Sequence, residues 1–190
     1  MERLHGATLR AEMKRVGVFS PAETADWFEQ ILAGLSAAHE HGVVHRDFKP
    51  ENILGGRRAF GSLAVKILDF GLAKNLPLAT GTLASQSLTE SGVVLGTMAY
   101  MAPEQFSRSD VDQRADLYAA GVVLVEMLTG HRPFGESLSL RADYHLPPDF
   151  PNQPASDAVL QRCLATAPGE RFSSAAELHS ALIPALRACS

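Results

Sequence analysis

Residues 43–52 have the sequence Val-Val-His-Arg-Asp-Phe-Lys-Pro-Glu-Asn, and the interpretation of the whole chain starts from them. The two valines predict a short buried strand, and Pro50 predicts a rigid loop after it. Three side chains in this run suit the handling of phosphate. The carboxylate of Asp47 can accept a hydroxyl proton, the ammonium of Lys49 can contact a phosphate, and the amide oxygen of Asn52 can bind a metal ion. Each residue alone is also common in ordinary polar loops, so the interpretation needs support from elsewhere in the chain.

Composition limits the class of protein. The 190 residues fit one domain or one large lobe, and the net charge of −4 argues against a nucleic-acid partner or an anionic membrane surface. The longest uncharged apolar run, residues 117–125, is too short to span a bilayer. The N-terminus has no apolar core typical of a signal peptide. Cys163 and Cys189 show no metal-type spacing, which predicts reduced thiols in a cytoplasmic protein.

Local patterns in the first half predict two helices and a hairpin. Thr8 is placed to cap a short helix that ends near Gly17. Ser20-Pro21-Ala22-Glu23 forms a capping-box pattern, and apolar residues at helical spacing follow it until Gly42. Residues 52–54 and 63–68 predict two strands joined by a loose turn.

The second half is predicted to be helical after a long loop. Residues 72–95 contain many hydroxyl side chains without any period, which predicts a mobile loop. Asp110 and Asp112 are placed to cap a helix that runs to about Leu128 and is apolar nearly all round, as the buried axis of a domain is. Residues 156–165 and 173–181 predict two closing helices.

Three motifs in series make the chain resemble the larger, C-terminal lobe of a Ser/Thr protein kinase. They are residues 45–52, Asp69-Phe70-Gly71 and Ala102-Pro103-Glu104. Lys49 and the Gly96-Thr97 pair favour the Ser/Thr branch over the tyrosine branch, and residues 101–105 are most similar to bacterial members. The resemblance covers the chain from Leu4 to about Leu182. It implies a mostly α (α+β) fold over residues 1–190, with a small β-hairpin at the cleft, a catalytic loop at 43–54 and an activation segment at 69–104.

The resemblance also implies chemical roles. Asp47 would orient the substrate hydroxyl and take its proton, and Lys49 would steady the transferred phosphate. Asn52 and Asp69 would hold Mg²⁺, and Leu54 would form the floor of the ATP adenine site. The partner would then be a protein that presents a Ser or Thr hydroxyl.

Supporting roles follow from the same resemblance. Thr97 would contact the catalytic aspartate and lysine. Glu104 would pair with Arg171 as a structural clamp. Asp116 would hold the backbone of the turn at residues 45–46.

Other residues are expected to pack or to be regulated. His45 and Phe70 are predicted to be packing residues. Arg46 matches a family position that pairs with a phosphorylated loop residue, and a phosphate adds about −1.5 to −2 charge that an arginine can bind. Thr89 and Ser91 are the predicted phosphorylation sites.

The sequence departs from the family because the elements of the smaller N-terminal lobe are missing. It has no glycine-rich loop, and Lys14, the only lysine before the catalytic loop, lies in a predicted helix. We therefore expect a truncated chain, from a misplaced start codon or a gene fragment, that binds ATP weakly and transfers phosphate slowly. The surface near Phe70 would be exposed and would suit a covering partner.

Two other functions stay open at this point. The first is a non-catalytic, kinase-like module that binds or regulates another protein. The second is a small-molecule phosphotransferase, which the hydroxyl-rich loop and Ala102-Pro103-Glu104 argue against because they suit a protein substrate.

Overall fold

The computed structural model describes residues 6–57, 62–70, 98–106, 111–134, 145–147 and 153–189. Within these ranges the chain forms five α-helices, a three-stranded sheet and three short 3₁₀ turns. The helices are α1 (Leu9–Val16), α2 (Pro21–Glu40), α3 (Arg114–Thr129), α4 (Gln153–Leu164) and α5 (Ala175–Arg187). The strands are β1 (Ala7–Thr8), β2 (Ile53–Arg57) and β3 (Leu63–Ile67), and the 3₁₀ turns are Pro50–Asn52, Pro103–Phe106 and Pro168–Glu170.

The first two helices form as their capping residues predict. Thr8 accepts a hydrogen bond from the Ala11 amide at the start of α1. At the start of α2 the Ser20 hydroxyl accepts from the Glu23 amide, and the Glu23 carboxylate accepts from the Ser20 amide. The apolar face of α2 is buried, and α2 packs against α5 and β3.

The predicted hairpin is confirmed, and it belongs to a larger sheet. The strands β2 and β3 pair antiparallel with Ile53 opposite Ile67. The third strand, β1, pairs antiparallel with β2. A two-residue strand has no periodicity, so the sequence could not predict it. Gln30 on α2 covers the free edge of β3, because its carboxamide accepts from the Val65 amide and donates to the Leu63 carbonyl.

The long apolar helix is the buried axis of the fold. Every residue of α3 from Ala115 to Leu128 is buried. Gly130 ends the helix in the left-handed conformation, at φ 76°, with its amide bonded to the Glu126 carbonyl. The helix starts at Arg114, whose amide donates to the Asp112 carboxylate, whereas Asp110 lies outside the described residues.

The strand predicted at Val43 and Val44 is wrong. These residues form no strand, and Val43 is 39% exposed. The Val43 amide instead donates to the Ala38 carbonyl, just beyond Gly42 at φ 70°. Val43 therefore helps to complete the C-terminus of α2, and its backbone is not available to a sheet.

The last helix is longer than predicted. It continues beyond Ala181 to Arg187 and contains Pro184 in its interior. A proline there removes one backbone hydrogen bond. Burial of Leu182, Ile183 and Leu186 favours the helix despite that loss. Among the described residues, no helix combines the length and apolarity needed to cross a bilayer.

Candidate active site

A buried carboxylate holds the loop at residues 45–52. Asp116 on α3 is 1% exposed. Its Oδ2 accepts from the His45 amide at 2.8 Å, and its Oδ1 accepts from the Arg46 amide at 2.9 Å. Oδ2 also contacts Nε2 of His39 at 2.8 Å. The contact predicted between Asp116 and the turn at residues 45–46 is therefore present in the structure.

The backbone at Arg46 is in an unfavourable conformation. Its φ is 64°, in the left-handed region that residues other than glycine rarely adopt. Such a backbone costs about 1–3 kcal/mol and persists only where its surroundings hold it. The bond from the Arg46 amide to Asp116 is one such restraint.

His45 does more than pack. Its ring lies 4.9 Å from the Phe70 ring and 5.8 Å from the Phe48 ring, measured between centroids. Its Nε2 also lies 2.7 Å from the Leu68 carbonyl oxygen, and its Nδ1 accepts from the Asp47 amide at 3.3 Å. This pair of bonds requires the proton on Nε2. His45 thus links the end of β3 to the backbone of Asp47.

The two oxygens of the Asp47 carboxylate differ in their contacts with the described residues. Its Oδ2 lies 2.8 Å from Nζ of Lys49 and accepts from Nδ2 of Asn52 at 3.2 Å. Nδ2 of Asn52 also donates to the Asp47 carbonyl at 2.9 Å. No donor among the described residues reaches Oδ1 of Asp47, and the side chain is 27% exposed.

Asn52 and Asp69 lie at neighbouring parts of the site. The Leu68 amide donates to the Asn52 carbonyl at 2.8 Å, which brings the end of β3 to the loop. Asp69 is exposed and has a φ of 58°, the second left-handed residue that is not glycine in the described chain. Nδ2 of Asn52 is used by Asp47, and no described residue donates to its Oδ1. An amide oxygen and a carboxylate are donors that Mg²⁺ prefers, so these residues fit that ion.

The predicted pair of Glu104 and Arg171 is present and buried. Nη1 and Nη2 of Arg171 donate to the two carboxylate oxygens of Glu104 at 2.7 and 2.8 Å. Arg171 also donates to the carbonyls of Ala165, Thr166 and Arg114. This pairing ties the turn Pro103–Phe106 to the segment before α5.

The sequence patterns did not predict a second cluster of charged side chains, which forms around Arg10. Arg10 on α1 donates to Glu51 at 2.7 Å and to Glu126 on α3 at 2.9 Å. The hydroxyl of Tyr100 contacts Arg10 and donates to Glu126. Burial opposes the charge of Arg10, but its bonds to Glu126 and Glu51 outweigh burial and raise its pKa. Burial and the nearby Glu126 carboxylate raise the pKa of Tyr100.

One sequence signal could have pointed to this cluster. Glu126 is a carboxylate within the otherwise apolar stretch of α3, and a buried charge needs a partner. The pattern does not say that the partner is Arg10, because the two residues are 116 positions apart.

Three predicted residues cannot be placed. Thr89, Ser91 and Thr97 lie outside the described residues, so their roles stay predictions. Leu54 is half-buried in β2, opposite Lys66 and Thr8.

Comparison with known proteins identifies the family. The protein kinase domain model matches residues 1–183, so the chain belongs to the protein kinase family. It is 40% identical, over 98% of its length, to the serine/threonine-protein kinase PknD of Mycobacterium tuberculosis. It is 42% identical, again over 98% of its length, to the serine/threonine-protein kinase Pkn1 of Myxococcus xanthus. The chain spans 28% of PknD and 27% of Pkn1.

A solved structure agrees with this assignment. The kinase domain of PknI from Mycobacterium tuberculosis superposes with a TM-score of 0.73 and 28% sequence identity. The match covers 97% of this chain and 64% of that chain. The described helices and the small antiparallel sheet thus form a protein-kinase-like fold.

Proposed function

We propose that the chain contributes the loop residues of an ATP-dependent, Mg²⁺-dependent kinase site that phosphorylates Ser or Thr hydroxyls of proteins. The observation that carries the proposal is the environment of the Asp47 carboxylate. Lys49 and Asn52 hold one oxygen, and no donor among the described residues reaches the other oxygen, which would receive the proton of an incoming hydroxyl. The restraints from Asp116 and His45 fix the loop that presents this carboxylate.

Asp47 and Lys49 have different roles in the proposed reaction: Asp47 accepts a proton, and Lys49 stabilises negative charge. The substrate hydroxyl oxygen forms a bond to the γ-phosphorus of ATP, the bond to the bridging oxygen breaks, and ADP leaves. The hydroxyl proton goes to Oδ1 of Asp47. The ammonium of Lys49 lies 2.8 Å from Oδ2 of Asp47, and its positive charge would oppose the negative charge of the phosphate oxygens.

Asn52 and Asp69 would hold the metal. When bound, Mg²⁺ supplies positive charge that stabilises the phosphate oxygens. Oδ1 of Asn52 and the carboxylate of Asp69 would be its protein ligands, and Leu54 would form one side of the adenine site.

These 190 residues contain no glycine-rich loop to cover the phosphates. Phosphoryl transfer depends mainly on positioning and electrostatic stabilisation. We therefore propose that the 190-residue polypeptide by itself transfers phosphate slowly. Groups from outside these residues would then complete the site.

The test is a labelled-ATP transfer assay of the 190-residue chain with peptides that contain Ser and Thr. We expect slow transfer that requires Mg²⁺, and a loss of about 100-fold or more in Asp47→Asn, because the proton acceptor is removed. Asp26→Asn is the matched control, since Asp26 is an exposed carboxylate of α2 that pairs with Arg187.

Two outcomes would contradict the proposal. Equal transfer by Asp47→Asn and by the wild-type chain would remove Asp47 from the chemistry. No transfer at all by the wild-type chain, even at millimolar ATP, would favour the non-catalytic binding module instead.

A further inference from the structure

We propose that Gln105 is a positioning residue for Asp47. Its Nε2 donates to the Arg46 carbonyl at 2.8 Å, and its Oε1 accepts from the Ala102 amide at 2.9 Å. One carboxamide therefore joins the turn Pro103–Phe106 to the residue directly before Asp47. This inference rests on the proposed function for the importance of Asp47, but not for the contacts themselves.

The bond to Arg46 acts on the peptide plane that leads into Asp47. The carbonyl of Arg46 and the amide of Asp47 belong to the same planar unit. Gln105 holds the carbonyl side at 2.8 Å, whereas His45 holds the amide side at 3.3 Å. The bond from Gln105 is the shorter of the two, so it is the stronger restraint on the orientation of this plane.

The left-handed backbone at Arg46 makes this restraint necessary. Asp116 holds its amide and Gln105 holds its carbonyl, so side chains from two separate segments satisfy both polar backbone groups. Without the bond from Gln105, Arg46 can relax toward a more favourable φ. Such a relaxation rotates the peptide and moves the Asp47 carboxylate.

The turn that carries Gln105 is itself anchored. Its neighbour Glu104 is bound by Arg171 through two short hydrogen bonds. Gln105 therefore transmits the position of the turn to the catalytic loop, across 59 positions of sequence. The carboxylate of Asp47 is therefore correctly oriented only while residues 102–106 keep their position beside the loop at residues 45–52.

Two substitutions distinguish a role in positioning Asp47 from a role that only stabilises the turn Pro103–Phe106. The bond to the Ala102 amide spans three positions and could serve only to stabilise the turn. Gln105→Glu keeps an oxygen that accepts from Ala102 but loses the N–H that donates to Arg46. Gln105→Met loses both bonds at similar volume.

The experiment measures amide hydrogen exchange and ¹³C chemical shifts by NMR on the 190-residue chain. Both variants remove the hydrogen bond to the Arg46 carbonyl, which lies in the same peptide plane as the Asp47 amide. We expect them to lower the protection of the Asp47 amide about three- to tenfold, the size of effect that one lost hydrogen bond has. The ¹³Cα and ¹³Cβ shifts of Arg46 should move away from left-handed values. Protection of the Ala102 amide should persist in Gln105→Glu and fall in Gln105→Met.

Gln30→Met is the matched control. Gln30 also uses both ends of its carboxamide on backbone groups, the Leu63 carbonyl and the Val65 amide, away from the loop. This variant should lower protection at Val65 and leave Arg46 and Asp47 unchanged.

A transfer assay adds a second readout. Gln105→Glu should lower kcat by about tenfold and leave the KM for ATP unchanged, because the Gln105 carboxamide contacts the Arg46 carbonyl and the Ala102 amide and is proposed to act through Asp47. Unchanged Asp47 protection and unchanged Arg46 shifts in Gln105→Glu would overturn the proposal and leave Gln105 as a turn-stabilising residue. If the wild-type chain transfers no phosphate, the proposed function fails, and the exchange data still decide the role of Gln105.

Discussion

Gly55 in strand β2 shows how one residue can fix the packing of the sheet against α2. A Cβ atom at this position would lie 1.9 Å from Cη2 of Trp27, so the indole packs directly against the glycine backbone. Trp27 is 7% exposed and meets the Phe19 ring edge-on, which leaves it little room to move. The glycine is required here by the close approach of a side chain, not by its backbone angles.

Gly55→Ala should destabilise the protein by about 1–3 kcal/mol, the usual cost of overpacking a core. Thermal unfolding followed by circular dichroism measures the loss. Gly169→Ala is the control, because a Cβ there meets nothing within 4 Å, and its effect should stay within about 0.5 kcal/mol. Equal melting temperatures for the two variants would show that Trp27 can shift at little cost.

At the scale of the element, α2 is the helix most fully specified by its own sequence. Ser20 and Glu23 exchange hydrogen bonds at its start, and Pro21 occupies the first turn. The hydroxyl and the amide of Ser20 lower the pKa of Glu23. A carboxyl whose pKa is lowered by folding adds stability above its unfolded pKa and loses it as pH falls through the folded value.

Ser20→Ala should cost about 0.5–2 kcal/mol at neutral pH, because one helix amide loses its acceptor. The difference from wild type should shrink as the solution is acidified through the carboxyl range, since protonated Glu23 accepts the hydrogen bond from the Ser20 hydroxyl more weakly than the carboxylate does. Urea unfolding at several pH values measures both effects. Ser36→Ala removes a half-buried serine far from the N-terminus of α2 and should change stability little at any pH, so a loss as large as that of Ser20→Ala would contradict the capping role.

At the scale of the whole molecule, the buried ion pair of Arg171 and Glu104 joins distant parts of the chain. The two residues are 67 positions apart, and the Arg171 side chain is fully buried. Its guanidinium also lies 4.8 Å from the centre of the Tyr118 ring on α3. The turn Pro103–Phe106, the central helix α3 and the segment before α5 therefore share one charged group.

Arg171→Met should destabilise the fold by about 3–5 kcal/mol, because it leaves the buried Glu104 carboxylate without its counter-ion. Arg187→Met is the control. Arg187 forms exposed pairs with Asp26 and Glu29, and such pairs contribute about 1 kcal/mol or less. Chemical denaturation of both variants provides the comparison, and similar midpoints would show that the buried pair is not important for stability.

The sequence predicted the helices well because their signals are local. Caps lie within three or four residues of the groups they bind, and apolar faces repeat every turn. It failed at Val43, whose amide is taken by the end of α2, and at Pro184, where burial outweighs a lost backbone bond. Strand β1 is too short to carry a pattern.

The sequence by itself determined the family and the chemical groups of the candidate site, because the residues at 45–52 and at 69 lie in short, recognisable motifs. Only the tertiary structure decided how those groups are held. The partners of the loop at residues 45–52, Asp116 and Gln105, come from 59 to 71 positions away, and the Arg10 cluster joins residues up to 116 positions apart. Such contacts leave no periodic trace along the chain, since they depend on which surfaces the packed helices bring together.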